Sequence, residues 1–517
     1  MATRLRLVPR PGRKKDSPAG PNHLSIRSTM MPKNTCSNEP EISLDIVTLA
    51  DDAGRAELNA ALNTSLADVV VLSGLRGGVN ARALPLLAEI FEDPSVMVAY
   101  SDEEIVDSRG RHIRSRYKPD WSPERFRSQF YVGNLLAVRR SDALSAVLDS
   151  AVDDSLPTMR GLSLLWDLVL RLTEQGNGVA HLPQLLFGST EGPSESEAES
   201  RSSADLLEAA AVVQAHCRRV GIDAEVEVSE PGNILHLRRH PDPSTKVSLI
   251  IPTCGSSGTV WGQDRVFIIE FVQSIVEKTT WENIEFVIVA DATTPSVVRR
   301  ALEGLCGDRL VWVNYDKPFN FSDKIAKGRA ASTGEVLLLL NDDMEVISED
   351  FIAELIGLAL EPGVGAVGAR LLLADGRIQH IGHRYADGTF HLFAGYDGDY
   401  AGPEDMCRVT RECIGVTAAC LAVRAEVFDS VGGMALDFPN NFNDVDFALR
   451  LRDLGLRNIV TPHAVLFHFE SVTRDGAVTA EEAHLLYSRW GTHLTSDPYS
   501  NPNLESGRIE WIEKGAH

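Results

Sequence analysis

From residue 246 onward the chain alternates between two hydrophobic patterns. "VSLIIPT" (247 to 253), "IEFVIVAD" (284 to 291), "RLVWVNY" (309 to 315) and "EVLLLLNDD" (335 to 343) are short, nearly continuous apolar runs, as strands covered on both faces should be. Between them, residues 265 to 277, 295 to 305 and 322 to 332 carry apolar positions at helical spacing. Such alternation needs crossover connections, so it predicts a parallel sheet with helices on both faces. Ligands of these sheets sit beyond the carboxyl ends of the strands. Thr253, Asp291 and the pair Asp342 and Asp343 all fall at such ends, and are expected to converge on one crevice.

The fourth strand ends oddly. Two adjacent carboxylates after four leucines repel each other, which suits a site awaiting a cation. An internal comparison sharpens this. "STGEVLLLLNDDMEVISEDFIAELIGLALEPGVGAV" (332 to 367) lines up with "SLADVVVLSGLRGGVNARALPLLAEIFEDPSVMVAY" (65 to 100), and "NDVDFALRLRDLGLRNIVTPHAVLFHFES" (443 to 471) with "LLWDLVLRLTEQGNGVAHLPQLLFGST" (164 to 190). The chain therefore holds two copies of one scaffold. Opposite Asn341, Asp342 and Asp343 the first copy has Gly74, Leu75 and Arg76; opposite Asp444 it has Leu165, and opposite His468 it has Ser189. By contrast, Asp446 matches Asp167, Arg450 matches Arg171, Gly455 matches Gly176 and Pro462 matches Pro183. Residues present in both copies serve the fold; those present only in the second are candidates for chemistry. Asp446 and Arg450 thus read as an i,i+4 ion pair that is at least partly structural.

Composition frames these patterns. A chain of 517 residues exceeds what one core usually supports, so two domains with a tail are expected. The net charge of -23 argues against duplex DNA or another polyanion as the main partner. Seven scattered cysteines without a CxxC pair read as reduced thiols of a cytosolic protein. No window approaches the ~20 apolar residues that a membrane helix needs. Residues 1 to 33 are basic, interrupted by proline and without the apolar core of a signal peptide, which predicts a disordered tail that an anionic membrane could attract. Met30 and Met31 offer an alternative start. "STEGPSESEAESRSSAD" (189 to 205) is an acidic linker, Leu206 to Val220 a helix ending at Gly221, and "RRHPDPSTK" (238 to 246) a hinge. The expected layout is a tail over 1 to 40, a degenerate half domain over 41 to 190, an acidic linker with a helix over 191 to 245, a catalytic domain over 246 to 505 and a C-terminal tail over 506 to 517.

Asp343 and His468 offer a carboxylate and an imidazole to one divalent ion, leaving room for a diphosphate to complete an octahedral shell. Asp444 opens an amphipathic helix, where it could serve as a cap or as a general base; the first copy keeps the helix without it, which favours the base. His380, His383 and His391 cluster in a Gly-rich stretch without further metal-spaced partners, so acceptor-side contacts or plain surface are preferred to a zinc site. "CGSSG" (254 to 258) fits neither a dinucleotide fingerprint nor a P-loop.

Strand-"IPT", the strand-end aspartate, strand-"NDD", "NDVDF" and "FHFES", in that order, resemble the inverting family 2 glycosyltransferases of GT-A fold. "FNFSDKI", "VTAACLAVR", "FNDVDFALRLRDLGL" and "DPYSNPNL" resemble the bacterial rhamnosyl- and O-antigen-type transferases within it, over about residues 246 to 505. "YSDEEIVD", "YKPDWSPE" and "FYVGNLLAVRR" (100 to 140) carry the resemblance into the first copy.

The resemblance implies an α/β GT-A fold, Rossmann-like with a mostly parallel sheet, preceded by a degenerate partial copy. It makes Asp343 and His468 ligands of Mg2+ or Mn2+ and Asp444 the catalytic base. It sets Thr253, Asp291, Lys324, Asn341 and Asp342 around a nucleotide-sugar donor, and Thr417 and Asp446 on the acceptor side. Asn341 stands where the family's first aspartate is usual, and Ala326 where an asparagine is common. "LYSRW" (486 to 490) lacks the glutamine of processive synthases, so one or a few sugars would be added. The implied donor is dTDP-rhamnose or a UDP-sugar, and the acceptor a hydroxyl of a cell-surface glycan or lipid-linked saccharide, in the cytoplasm or at the inner face of the plasma membrane. Two rivals remain: a sugar nucleotidyltransferase, which would want a basic loop right after the first strand, and a non-catalytic glycan-binding scaffold.

Overall fold

The computed structural model describes residues 42–74, 77–151, 159–176, 178–190, 203–229, 234–469 and 478–515. They fall within one compact unit, Ser37–His517. The basic N-terminal stretch, Leu75, Arg76 and residues 191–202 of the acidic linker lie outside the described residues.

The first copy supplies β1 (Leu44–Leu49), β2 (Val69–Gly74), β3 (Gly77–Val79), β4 (Val96–Val106), β5 (His112–Arg116), β6 (Leu135–Arg139) and β7 (Gly178–Thr190). They form one sheet in the order β1-β2-β6-β4-β7-β3, with β5 on β4. After the helix Ser203–Val220 comes a ribbon of β8 (Ala224–Ser229) and β9 (Ile234–Arg239). Val212, Val213 and Cys217 of that helix and Leu235 and Leu237 of the ribbon share a core with Trp166 and Leu170 of the helix Gly161–Thr173.

The second copy begins with β10 (Val247–Thr253), a hairpin of β11 (Ser257–Val260) and β12 (Gln263–Val266), β13 (Ile284–Asp291), β14 (Leu310–Tyr315), β15 (Val336–Leu340) and β16 (Met344–Val346). It continues with β17 (Val364–Leu372), β18 (Ile378–His380), β19 (His383–Tyr385), β20 (Thr389–His391), β21 (Arg411–Cys413), β22 (Cys420–Arg424) and β23 (Arg457–His468). Its ten-stranded sheet runs β14-β13-β10-β15-β22-β17-β23-β16, with β18 on β17 and β21 on β23. β10 and β15 are buried along their whole length. The helices Phe267–Lys278 and Phe351–Ala359 bury Phe271, Ile275, Leu355 and Ile356 against one face, while Ile325 and Phe447 pack on the other.

The α/β architecture is as expected, but the sheet is mixed. β14, β13, β10 and β15 are parallel, whereas β22 runs antiparallel to β15. The physical reason is how β22 is fed. It arrives from the turn at 414–419, on the crevice side, with Cys420 opposite Leu340, and no crossover helix precedes it. That entry brings the turn against the end of β15, where the Asn341 N–H donates to the Ala419 carbonyl (2.9 Å).

Candidate functional site

Four strand ends and two helix starts meet at the crevice. Thr253 closes β10; its Oγ1 accepts the Gly255 N–H (2.9 Å) and donates to Asp342 Oδ2 (2.5 Å). Asp291 closes β13 and pairs with Lys324 Nζ at 2.6 Å. Lys324 comes from the first turn of the helix Phe321–Ala331, capped by Asn320, and is buried over the rings of Tyr315 and Phe319. Burial, and then the charge of Asp343, push Asp342 up to about 7, with the Thr253 hydroxyl and Lys324 opposing. The two aspartates thus crowd one another as their adjacency implied.

Asp343 Oδ1 lies 3.1 Å from Nε2 of His468, the last residue of β23. This contact follows from strand register, since β16 pairs with β23 so that Met344 faces His468. On the other side of the ring, His468 Nδ1 donates to Gln379 Oε1 (2.6 Å), because an amide oxygen can only accept. In the neutral ring Nε2 therefore carries a lone pair, which accepts from Asn341 Nδ2 (3.0 Å) and faces the Asp343 carboxylate.

These residues fit a divalent cation. Adjacent ligands of an octahedral ion at ~2.1 Å stand about 3.0 Å apart, close to the spacing observed here, and the donor set of carboxylate oxygen and imidazole nitrogen suits Mg2+ or Mn2+.

Asp444 is the second residue of the helix Asn443–Asp453, whose Val445, Leu449 and Leu451 are buried. Its Oδ1 accepts the Val445 N–H (2.8 Å) and its Oδ2 the Ala418 N–H (3.3 Å), so the carboxylate is held against the 417–419 turn. The residue before this helix, Phe442, has a left-handed φ of 62°, a conformation costing a non-glycine residue about 1–3 kcal/mol that tertiary packing must offset. Thr417 sits on the same turn and donates its N–H to His380 Nε2 (3.3 Å).

Asp446 is not in the crevice. It is fully buried, and its oxygens are occupied by Arg450 Nε (2.8 Å), Arg489 Nη1 (2.8 Å) and Trp490 Nε1 (2.9 Å). The i,i+4 pair with Arg450 is present, and the "RW" of "LYSRW" completes a structural anchor. That placement accords with the internal comparison, where Asp446 has a counterpart in the first copy, rather than with an acceptor-side role.

The three histidines come together, with ring centroids 4.8–5.0 Å apart. His380 and His383 are buried, so plain surface does not describe them. Burial, followed by the neighbouring histidines, pulls His380 well below its usual value and His383 down to about 3. His380 Nε2 also accepts from Gly382, so its Nδ1 keeps the proton and donates to His391 Nδ1 (2.9 Å). A ring with donors on one nitrogen and its own proton on the other is a hydrogen-bonded link rather than a zinc ligand.

Sequence reasoning missed Gln379 entirely. β18 is three residues long, all buried, and carries no period that would single it out.

A mixed sheet of this order, with helices on both faces, is the GT-A-like architecture that the sequence resemblance implied. Residues 248–432 match the family model "Glycosyl transferase family 2". Over 481 residues, 90% of this chain and 36% of the relative, the protein is 31% identical to the O-antigen biosynthesis protein RfbC of Myxococcus xanthus. It is 29% identical to the uncharacterized protein y4gI of Sinorhizobium fredii, over 92% of this chain and 54% of that one. The chain thus spans about a third to a half of the length of these curated relatives. Solved structures similar to it include a mannosyltransferase from Pyrobaculum calidifontis in complex with GDP-Man and Mn2+ (19% identity, TM-score 0.35, 50% of this chain and 67% of that one). GalNAc-T7 with UDP, GalNAc and Mn2+ is another (12% identity, TM-score 0.40, 51% of each chain).

Proposed function

We propose that this protein transfers a sugar from a nucleotide-sugar donor to a hydroxyl of a cell-surface glycan or lipid-linked acceptor, with inversion at the anomeric carbon and with Mg2+ or Mn2+ as cofactor. The observation that carries this reading is the clustering of Asp343, His468 and Asp444 around one crevice, at the positions where the first copy has other residues. The O-antigen relative motivates the acceptor class, and dTDP-rhamnose or a UDP-sugar is the proposed donor. No helix among the described residues is long and apolar enough to cross a membrane, and a place at the inner face of the plasma membrane is part of the proposal.

Asp343 and His468 would hold the cation; when bound, it supplies positive charge opposite the leaving diphosphate. Thr253, Asp291, Lys324, Asn341 and Asp342 line the donor side, with the Lys324 ammonium held by Asp291. Asp444, held by the 417–419 turn, accepts the proton of the acceptor hydroxyl as its oxygen bonds to the anomeric carbon and the bond to the diphosphate breaks in line. A nucleotidyltransferase reading loses its basic loop: the hairpin after β10 brings only Arg265, which is paired with Glu345 (2.6 Å) and Glu270 (3.1 Å).

The test is release of nucleoside diphosphate from a panel of nucleotide sugars with Mn2+ or Mg2+. Turnover with at least one donor, lost in Asp343→Ala and Asp444→Asn, is expected. Unchanged turnover in both variants would remove the site assignment.

A further inference from the structure

We propose that Gln379 is a positioning residue that fixes the ring of His468 for cation binding, an inference that rests on the reading of Asp343 and His468 as the cation site. The argument begins with what an imidazole needs in order to ligate. It must present an unprotonated nitrogen, so its other nitrogen must keep the proton and be given an acceptor. Gln379 Oε1 is that acceptor, 2.6 Å from His468 Nδ1, on a side chain only 9% exposed. Nε2 is left with the lone pair, which takes the Asn341 amide (3.0 Å), and lies 3.1 Å from Asp343 Oδ1.

The backbone supports the same assignment. β18 carries Gln379 and pairs with β17, which runs parallel beside β23 and ends with Leu372 opposite Phe467, the neighbour of His468. Donor and acceptor therefore hang from two strands that both pair with β17 in one sheet, a rigid mount for a ligand ring.

The neighbour on β18 works at another place. His380 takes the Thr417 N–H, on the turn whose next residue holds Asp444. Substitution of His380 should therefore leave cation affinity alone, which separates a specific effect of Gln379 from general loosening of β18.

The experiment titrates Mn2+, alone and with UDP, into the full-length chain by isothermal calorimetry or Mn2+ electron paramagnetic resonance. Gln379→Met keeps the volume and removes the acceptor, and is expected to raise the Mn2+ Kd about 10- to 100-fold. Gln379→Glu keeps an acceptor and should bind within about threefold of wild type; His380→Gln should do the same. If Gln379→Met does not fold, Gln379→Asn, whose oxygen falls short of the ring, should show the same rise. Mn2+ binding by Gln379→Met or Gln379→Asn at wild-type affinity, or a loss in Gln379→Glu as large as in Gln379→Met, overturns the inference. The underlying reading fails separately, if wild type binds no Mn2+ or if Asp343→Ala binds it as wild type does.

Discussion

The two halves of this molecule share a scaffold down to individual hydrogen bonds and differ at their crevices. β1-β2-β6-β4-β7-β3 repeats β10-β15-β22-β17-β23-β16, with the same parallel and antiparallel pairings throughout. Arg139 faces Val69 as Arg424 faces Val336, and Ser189 faces Gly77 as His468 faces Met344. The Gly74 N–H donates to the Asn134 carbonyl as the Asn341 N–H does to Ala419. Among the described residues the first sheet stops at β1, however, whereas the second continues through β13 and β14, whose ends carry the proposed donor side. Lys118 braces the corresponding turn of the first half. Its buried Nζ donates to Glu103 Oε1 (2.9 Å), the Ser101 carbonyl (2.6 Å) and the Val132 carbonyl (2.8 Å), on the turn equivalent to 417–419. In the first half a buried ion pair braces this turn, so the scaffold stands without the acidic site.

The largest expected effect separates the halves by chemistry. Asp444→Asn should lower turnover by about 10²- to 10⁴-fold, the usual contribution of a general base, while the melting temperature hardly moves. Leu165→Asp, at the equivalent position of the first copy, should restore no activity to an Asp444→Asn protein. It should instead cost stability, because Leu165 packs against the first core. Steady-state kinetics and thermal melts on the three proteins decide this.

A second break targets this brace. Lys118→Met leaves Glu103, fully buried, with Arg116 at 3.5 Å as its one remaining cationic partner among the described residues. Removing one member of a buried pair costs about 3–5 kcal/mol. Chemical denaturation should show a loss near the lower figure because Arg116 stays, while KM for the donor is unchanged in the protein that remains folded.

How much of this could be read from the chain depends on whether each feature was local. β10 and β13 fall on the residues expected, because a strand buried on both faces is a continuous apolar run. The strand-end aspartates and the Asp446–Arg450 pair were legible because neighbours in sequence or at i,i+4 are neighbours in space. The direction of β22 was not, since an apolar strand reads the same in either sense. Nor was Gln379, whose partner is 89 residues away, nor the burial of Lys118 and Glu103, since a charge run such as "SDEE" normally marks a solvated segment. The internal repeat offset part of that loss by separating fold residues from chemistry residues at long range.

A smaller effect comes from pH, and its sign should differ between two buried carboxylates. Glu124 of the first half loses solvation on burial, but Arg239, Arg127 and Arg457 overcome this and hold it well below its usual 4.5. Its folded form binds fewer protons than the unfolded chain, so its contribution is complete above pH 4.5 and fades as pH falls below it. Asp342 is raised instead, to about 7. Without metal, its folded form keeps a proton that the unfolded chain releases, so stability declines as pH rises from about 4 to about 7. Melting curves against pH should lose the first slope in Glu124→Gln and the second in Asp342→Asn, and Mn2+ should suppress the second only.

The smallest expected effect is the most specific. Ser189→His places an imidazole in the register position that His468 occupies, because Gly77 faces Ser189 as Met344 faces His468. A ligand needs more than a position in a sheet. The first copy has no aspartate at the aligned positions, which are Gly74, Leu75 and Arg76, and an arginine side chain offers a cation no acceptor. Ser189→His should therefore change stability by no more than about 0.5 kcal/mol, as substitutions at partly exposed positions usually do. It should add no second Mn2+ site in calorimetry. A second Mn2+ equivalent would mean that backbone register alone makes a cation site in this scaffold, and the contrast between the halves would then reduce to one side chain.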